Sequence, residues 1–151
     1  GLFIAPPLNG WVLVSGSGLP EPADDIDVFY RFLRRLSRKT GAVQYFNTDP
    51  HLGHHAWVWM TSGRVIRAYV WTGRTVWNQG RRTPAEQALR LTCFPYFEAP
   101  EPSSPDQAEV AARNTEKVPM LAAQWSFDPA AIRGGLPEHA LGVVGEVSRL
   151  D

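Results

Sequence analysis

Cysteine is nearly missing from this chain. Cys93 is the single one among 151 residues, which excludes an internal disulfide and fits a reducing compartment such as the cytoplasm. Neither sign of charge is in excess: 15 Lys+Arg stand against 15 Asp+Glu. A balanced chain gives no electrostatic ground for nucleic acid or an anionic membrane as partner. No apolar run approaches the roughly 18 residues of a membrane-spanning helix. The opening "GLFIAPPLNG" lacks a basic segment and is broken by Pro6 and Pro7, which argues against a secretory signal. The chain opens on Gly1 in place of Met, as a trimmed chain, a processed chain or a piece of a larger protein would. The phosphate-binding patterns G-x-G-x-x-G and G-K-[ST] are absent, and so is the zinc pattern H-E-x-x-H.

What is present is a globular composition, 44% apolar, with six tryptophans. Its length fits a single domain over 1–151 with a core large enough to need no staples. "WVLVSG" reads as a strand. "DDIDVFYRFLRRLSRKTG" reads as a long amphipathic helix: Val28, Phe29, Phe32, Leu33 and Leu36 recur at helical spacing. Asp24, Asp25 and Asp27 open it and Arg34, Arg35, Arg38 and Lys39 close it, in the sense that complements the helix dipole. "AVQYFN" is a second strand. "HHAWVWM", "VIRAYVW" and "RTVWNQG" are three more, joined by tight turns at Ser62-Gly63 and Thr72-Gly73. "TPAEQALRL" carries a capping box, with Thr83 as cap, Pro84 at the first helical position and Glu86 closing it. Residues 98–106 form a Pro/Ser-rich connector expected to be exposed. Cap-then-proline starts at Ser104-Pro105 and Asp128-Pro129, with "KVPMLAAQWSF" between them, suggest several short C-terminal helices. "ALGVVGEV" is open between strand and helix. The class is therefore α+β: an antiparallel sheet of about four to five strands, largely a meander, with helices packed on it.

The turn at Ser62-Gly63 predicts a register. Trp59 faces Ile66, Trp57 faces Ala68 and His55 faces Val70, and opposed residues share a face. One face then carries Trp57, Trp59, Ile66, Ala68 and Val70, with Trp77 beside them, and should lie on the long helix. The other carries His54, Ala56, Val58, Met60, Val65, Arg67, Tyr69 and Trp71. Two fates are open to that second face. The C-terminal helices cover it, with Arg67 snorkelling or paired to a carboxylate. Or part of it is a recognition surface, since Trp, Tyr and Arg are the residues enriched at binding hot spots.

The most chemically suggestive stretch is "DPHLGHHAWVWM", which holds His51, His54 and His55. Consecutive strand residues point to opposite faces, so His54 and His55 do not ligate one metal together. A structural zinc site wants four ligands, usually with cysteine, and no metal or other cofactor is expected. The Ser/Gly loop after "WVLV" feeds a helix that starts with three aspartates, which disfavours a phosphate there. Cys93 sits in apolar "LTCFPYF" and reads as an inert thiol. The stretch "GLPEP…FYRFLRRL" resembles the opening of certain immunity-type and scaffold domains, a resemblance confined to those residues. The function read here is a non-catalytic protein-interaction module, an accessory, adaptor or immunity-type domain. It would bind a protein partner or itself through Arg67, Tyr69, Trp71, His54 and Asn78. The alternative is a small enzyme or ligand-binding domain that joins the His51/His54/His55 loop to Arg67 and Tyr69.

Overall fold

The computed structural model describes residues 2–4, 10–16, 18–96, 105–126 and 143–146. Along the chain come β1 (Leu2–Ile4), β2 (Trp11–Gly16), α1 (Ile26–Thr40), β3 (Ala42–Asp49), β4 (His54–Thr61), β5 (Arg64–Trp71), β6 (Thr75–Gln79), α2 (Pro84–Ala88), α3 (Pro105–Trp125) and β7 (Val143–Glu146). The fold is α+β. Its antiparallel sheet has seven strands in the order β1-β2-β7-β3-β4-β5-β6, so the meander gains β1 and β7 on its β3 side. The ambiguous "ALGVVGEV" supplies β7, which bonds to β2 on one side and β3 on the other. With β7 between them, β2 and β3 run parallel, and α1 is the crossover that joins them. Helix α1 packs on one face of the sheet, and α2 with α3 on the other.

The caps of α1 follow its sequence. Asp25 Oδ1 accepts from the backbone N–H of Asp27 at 2.9 Å and of Val28 at 3.1 Å. Gly41 donates back to the Ser37 carbonyl at 2.8 Å. Phe29, Leu33, Ser37 and Thr40 are buried, with Phe32 and Leu36 packed at the margin. Val28, expected in the stripe, is turned outward and 46% exposed.

The β4–β5 turn forms as expected, with φ of 49° at Ser62 and 81° at Gly63, and it pairs Thr61 with Arg64 and Met60 with Val65. Then the register slips. Ile66 is an unpaired bulge residue, 45% exposed, and Trp59 pairs with Arg67. One extra residue exchanges the faces of everything beyond it. Trp57 therefore pairs with Tyr69 and His55 with Trp71, not with Ala68 and Val70. The predicted faces are corrected accordingly. His55, Trp57, Trp59, Arg67, Tyr69 and Trp71 share the face under α2 and α3. Ala56, Val58, Met60, Ala68 and Val70 lie under α1, together with Phe29 and Leu33. Trp77 is on the α1 side as expected, edge-on to Phe29 and Tyr30, but it pairs with Val70. The next turn holds three residues, Thr72, Gly73 and Arg74, because Trp71 pairs with Thr75.

The expected short C-terminal helices are one helix of 21 residues through position 125. Ala111, Asn114, Thr115, Val118, Leu121 and Ala122 form its buried stripe. Pro119 lies on the exposed side, and the helix continues past it although its ring nitrogen has no N–H to bond the Thr115 carbonyl. Pro105 and Asp106 open α3; the rest of the 98–106 connector and the Asp128-Pro129 start lie outside the described residues.

Gly80 locks the bulge from the next strand. Its φ is 85°, and a Cβ there would fall on the Ile66 carbonyl and within 3.2 Å of Arg67 Cα. Gly73 has a similar φ of 87° but open space around it. In urea denaturation we expect Gly73→Ala to lose about 1–2 kcal/mol, the cost of the left-handed backbone alone. Gly80→Ala should lose about 2–5 kcal/mol, because an overpacking cost adds to it.

Candidate functional site

Arg67 and Asn78, two of the residues singled out in the sequence, meet at one buried node. Arg67 and Glu86 are both fully buried, and Arg67 Nε donates to Glu86 Oε1 at 2.9 Å and Oε2 at 3.1 Å. Arg67 Nη1 donates to Asn78 Oδ1 at 2.7 Å and to the carbonyls of Ala68, Gln79 and Gly80. Nη2 donates to Cys93 Sγ at 3.1 Å. Glu86 is equally occupied. It accepts from Trp57 Nε1 at 2.8 Å and, as the closing residue of the α2 capping box, from the Thr83 N–H at 2.6 Å. Trp125 of α3 donates to Thr83 Oγ1 at 3.2 Å and so ties the third helix to the same node. Burial pushes the Cys93 thiol up to about 11, which keeps it protonated and unreactive.

Beside the node lies an aromatic layer. Trp57 meets Tyr69 at 4.9 Å, and Trp71 meets Phe94 at 4.9 Å. Residues 89–96 have no regular structure, and side chains satisfy their backbone instead. Asn114 accepts from Thr92 N at 3.0 Å and donates to Thr92 O at 2.6 Å. Lys117 donates to Leu89 O, and Arg82 to Leu91 O. Tyr69 Oη accepts from Phe94 N, and Thr75 Oγ1 donates to Phe94 O. Burial raises the Tyr69 phenol to about 12. The open-surface reading of Arg67, Tyr69 and Trp71 is therefore corrected. They are 0%, 0% and 4% exposed, closed over by the chain's own α2, 89–96 segment and α3.

The three histidines are separated as strand alternation requires. His51 is exposed in the β3–β4 loop, where its N–H bonds Asp49 Oδ1. His55 is buried under α3 and stacks on Trp57 and Trp71. The Thr115 hydroxyl donates to Ala111 O, so His55 Nδ1 is the donor in its 3.0 Å contact with Thr115 Oγ1. Burial pushes His55 down to about 3, against the opposing pull of the Gly53 carbonyl. His54 faces the α1 side and lines a cavity of about 220 Å³ with Glu21, Asp24, Asn47, Asp49 and Leu52. Arg67 and Tyr69 lie across the sheet from His54, so of His51, His54 and His55 it is His55 that meets Tyr69, ring to ring at 6.0 Å. Among the described residues no three His, Cys, Asp or Glu come together as a metal site.

One surface went unread in the sequence as a surface. Arg31, Arg34, Arg35, Arg38 and Lys39 line a groove of about 370 Å³ along the outer side of α1. An apolar groove of about 350 Å³, with Pro20, Val28 and Phe32 in its wall, shares Arg31 and Arg35 with it. Arg31 bonds the Asp27 carbonyl at 3.3 Å. Among the described residues the ion pairs are Arg67–Glu86 and Arg113–Glu109, so no α1 cation has an ion pair among them. Arg34 Nε is shielded from solvent with no hydrogen-bond partner among the described residues. The available signal was the count: five cations in nine residues exceed what a helix dipole calls for.

Glu86→Ala should cost about 3–5 kcal/mol in chemical denaturation, because it strands a buried guanidinium. The double change Arg67→Met/Glu86→Leu should cost less than that single one, since it strands no charge. His55 gives a pH signature. It is neutral in the fold and takes a proton in the unfolded chain below its ordinary 6.5, so its contribution is complete above that pH. It is lost as pH falls toward 3, at up to about 1.4 kcal/mol per pH unit. Thermal melts of the wild type and His55→Gln from neutral to acid pH should show the variant losing less on acidification.

No family model matches this chain, nor does any curated protein or solved structure, so what the arrangement does has to be read from its own geometry.

Proposed function

We propose that this chain is a non-catalytic protein-interaction module and that it docks through the outer side of α1. The observation that carries the reading is the row Arg31, Arg34, Arg35, Arg38 and Lys39, without an ion pair among the described residues, beside the apolar Val28, Phe32 and Pro20. Arginine with adjoining apolar area is the composition of a protein contact. The solvent-shielded Arg34 Nε adds to it, because a buried donor without an acceptor costs free energy that a partner's carboxylate would recover. The arginine and aromatic cluster around Arg67 serves as scaffold in this reading. It holds the sheet against α2 and α3 and leaves α1 as the outward face.

The test is affinity capture with the full chain from its own cells, comparing wild type with Arg35→Glu/Arg38→Glu. Both side chains are exposed, so the melting temperature should be nearly unchanged while the captured partner is lost. Capture that survives the double charge reversal would remove α1 as the docking face.

A further inference from the structure

Building on that docking face, we infer that its partner is a second copy of this chain, with the two α1 helices lying antiparallel across a two-fold axis. The two signs of charge are separated along α1 and the segment that enters it. Glu21, Asp24 and Asp27 are exposed at its start, and Arg31, Arg35, Arg38 and Lys39 are exposed over the rest. Rotating one copy by 180° sets the acidic end of each helix on the basic end of the other, twice over. That is the self-complementarity a two-fold interface requires. Helix α1 has 15 residues and so is about 22 Å long, enough to keep the two ends apart as separate contacts. Val28, 46% exposed, lies between the charged ends, with Phe32 beside it to supply apolar contact at the centre. The chain's formal net charge of zero leaves no overall repulsion between copies. A polyanion fits this face less well, because its track along the basic row ends on three carboxylates.

Strand pairing at the β6 edge, another route to self-association, is obstructed. The Tyr96 hydroxyl accepts from the Asn78 N–H and donates to the Asn78 carbonyl at 3.1 Å, so it occupies the open edge in mid-strand. On the opposite face of the sheet, α2 and α3 already cover the apolar layer.

Sedimentation velocity on the full chain tests the inference. At about 50 mM salt the wild type should sediment with twice the mass of the 16.8 kDa chain. At about 0.5 M salt, where exposed ion pairs are screened, it should shift toward monomer. Two charge variants complete the test: Arg31→Glu/Arg35→Glu/Arg38→Glu, and Glu21→Lys/Asp24→Lys/Asp27→Lys. Asp25 is kept because its side chain caps the helix. Each variant alone should self-associate at least about 30-fold more weakly, the summed effect of several exposed ion pairs. Mixed in equal amounts they should form a heterodimer, because every contact is again acid on base. That rescue also shows that both variants are folded. A wild type that is monomeric at low salt, or a mixture that stays monomeric, overturns the second copy as partner. If partner capture is nevertheless lost in Arg35→Glu/Arg38→Glu, the α1 docking face stands with a different occupant. If capture too is unaffected, the docking face itself is wrong.

Discussion

A guanidinium and a carboxylate, Arg67 and Glu86, sit together where no water reaches either. Charges so placed are tolerable only with nearly every donor and acceptor used, and here they are. The consequences run outward in three directions. Toward the sheet, the demand that Arg67 meet Glu86 selects the bulged register. Without the bulge at Ile66, Arg67 would point at Phe29 and Leu33 under α1, far from its carboxylate. Toward the helices, Glu86 fixes α2 by its cap and the sheet by Trp57, while Trp125 brings α3 in through Thr83. Toward the β6 edge, Asn78, Gln79 and Gly80 are held by the same Nη1. The pair adds little net stability over an apolar substitute; what it supplies is penalty for any other arrangement.

The parts of this fold that are local in cause were legible. Asp25 and Gly41 bound α1, Thr83, Pro84 and Glu86 define α2, and Ser62-Gly63 turns the β4–β5 hairpin, each through contacts a few residues apart. What eluded the sequence depends on distant partners. The bulge at Ile66 obeys a carboxylate nineteen positions beyond Arg67 in the chain. One cue to it was present. Ala56, Val58, Ala68 and Val70 are small, while Trp57, Trp59, Tyr69 and Trp71 are large. A helix approaches a sheet most closely over small residues, so sorting by volume would have grouped them as the structure does. Pro119 falls inside α3 on its exposed side, and the helix continues past it. Of the candidate binding residues, Arg67, Tyr69 and Trp71 share one buried face and Asn78 meets Arg67, whereas His54 lies on the other face.

The two sides of the sheet therefore have different work. Under α3, aromatic rings and side-chain hydrogen bonds fix an irregular segment whose backbone would otherwise be unsatisfied. Under α1, small aliphatic side chains let one helix lie close, and that helix carries its charges on the outside. The histidines follow the same division: His55 is a neutral spacer within the rigid layer, whereas His54 looks into a small acidic recess. An acid-to-base gradient along α1 reads first as service to its own dipole. Five cations with no ion pair among the described residues make it a feature of the surface as well.

The place of β7 bears on how the chain comes together as it leaves the ribosome. Strand β2 has β1 and β7 as its hydrogen-bonded neighbours, and β3 has β7 and β4. The β3–β6 meander needs only neighbours in sequence and is ready early, whereas the β1–β2 pair has no strand to join until residues 143–146 have been synthesised. For that interval the inner edge of β3 is an unpaired row of amides and carbonyls in a nascent chain, open to pairing with a neighbouring polypeptide. The strand made last among those described is thus the keystone laid between two halves already waiting, and premature termination before it would leave a sticky half-sheet in place of a slightly shorter protein.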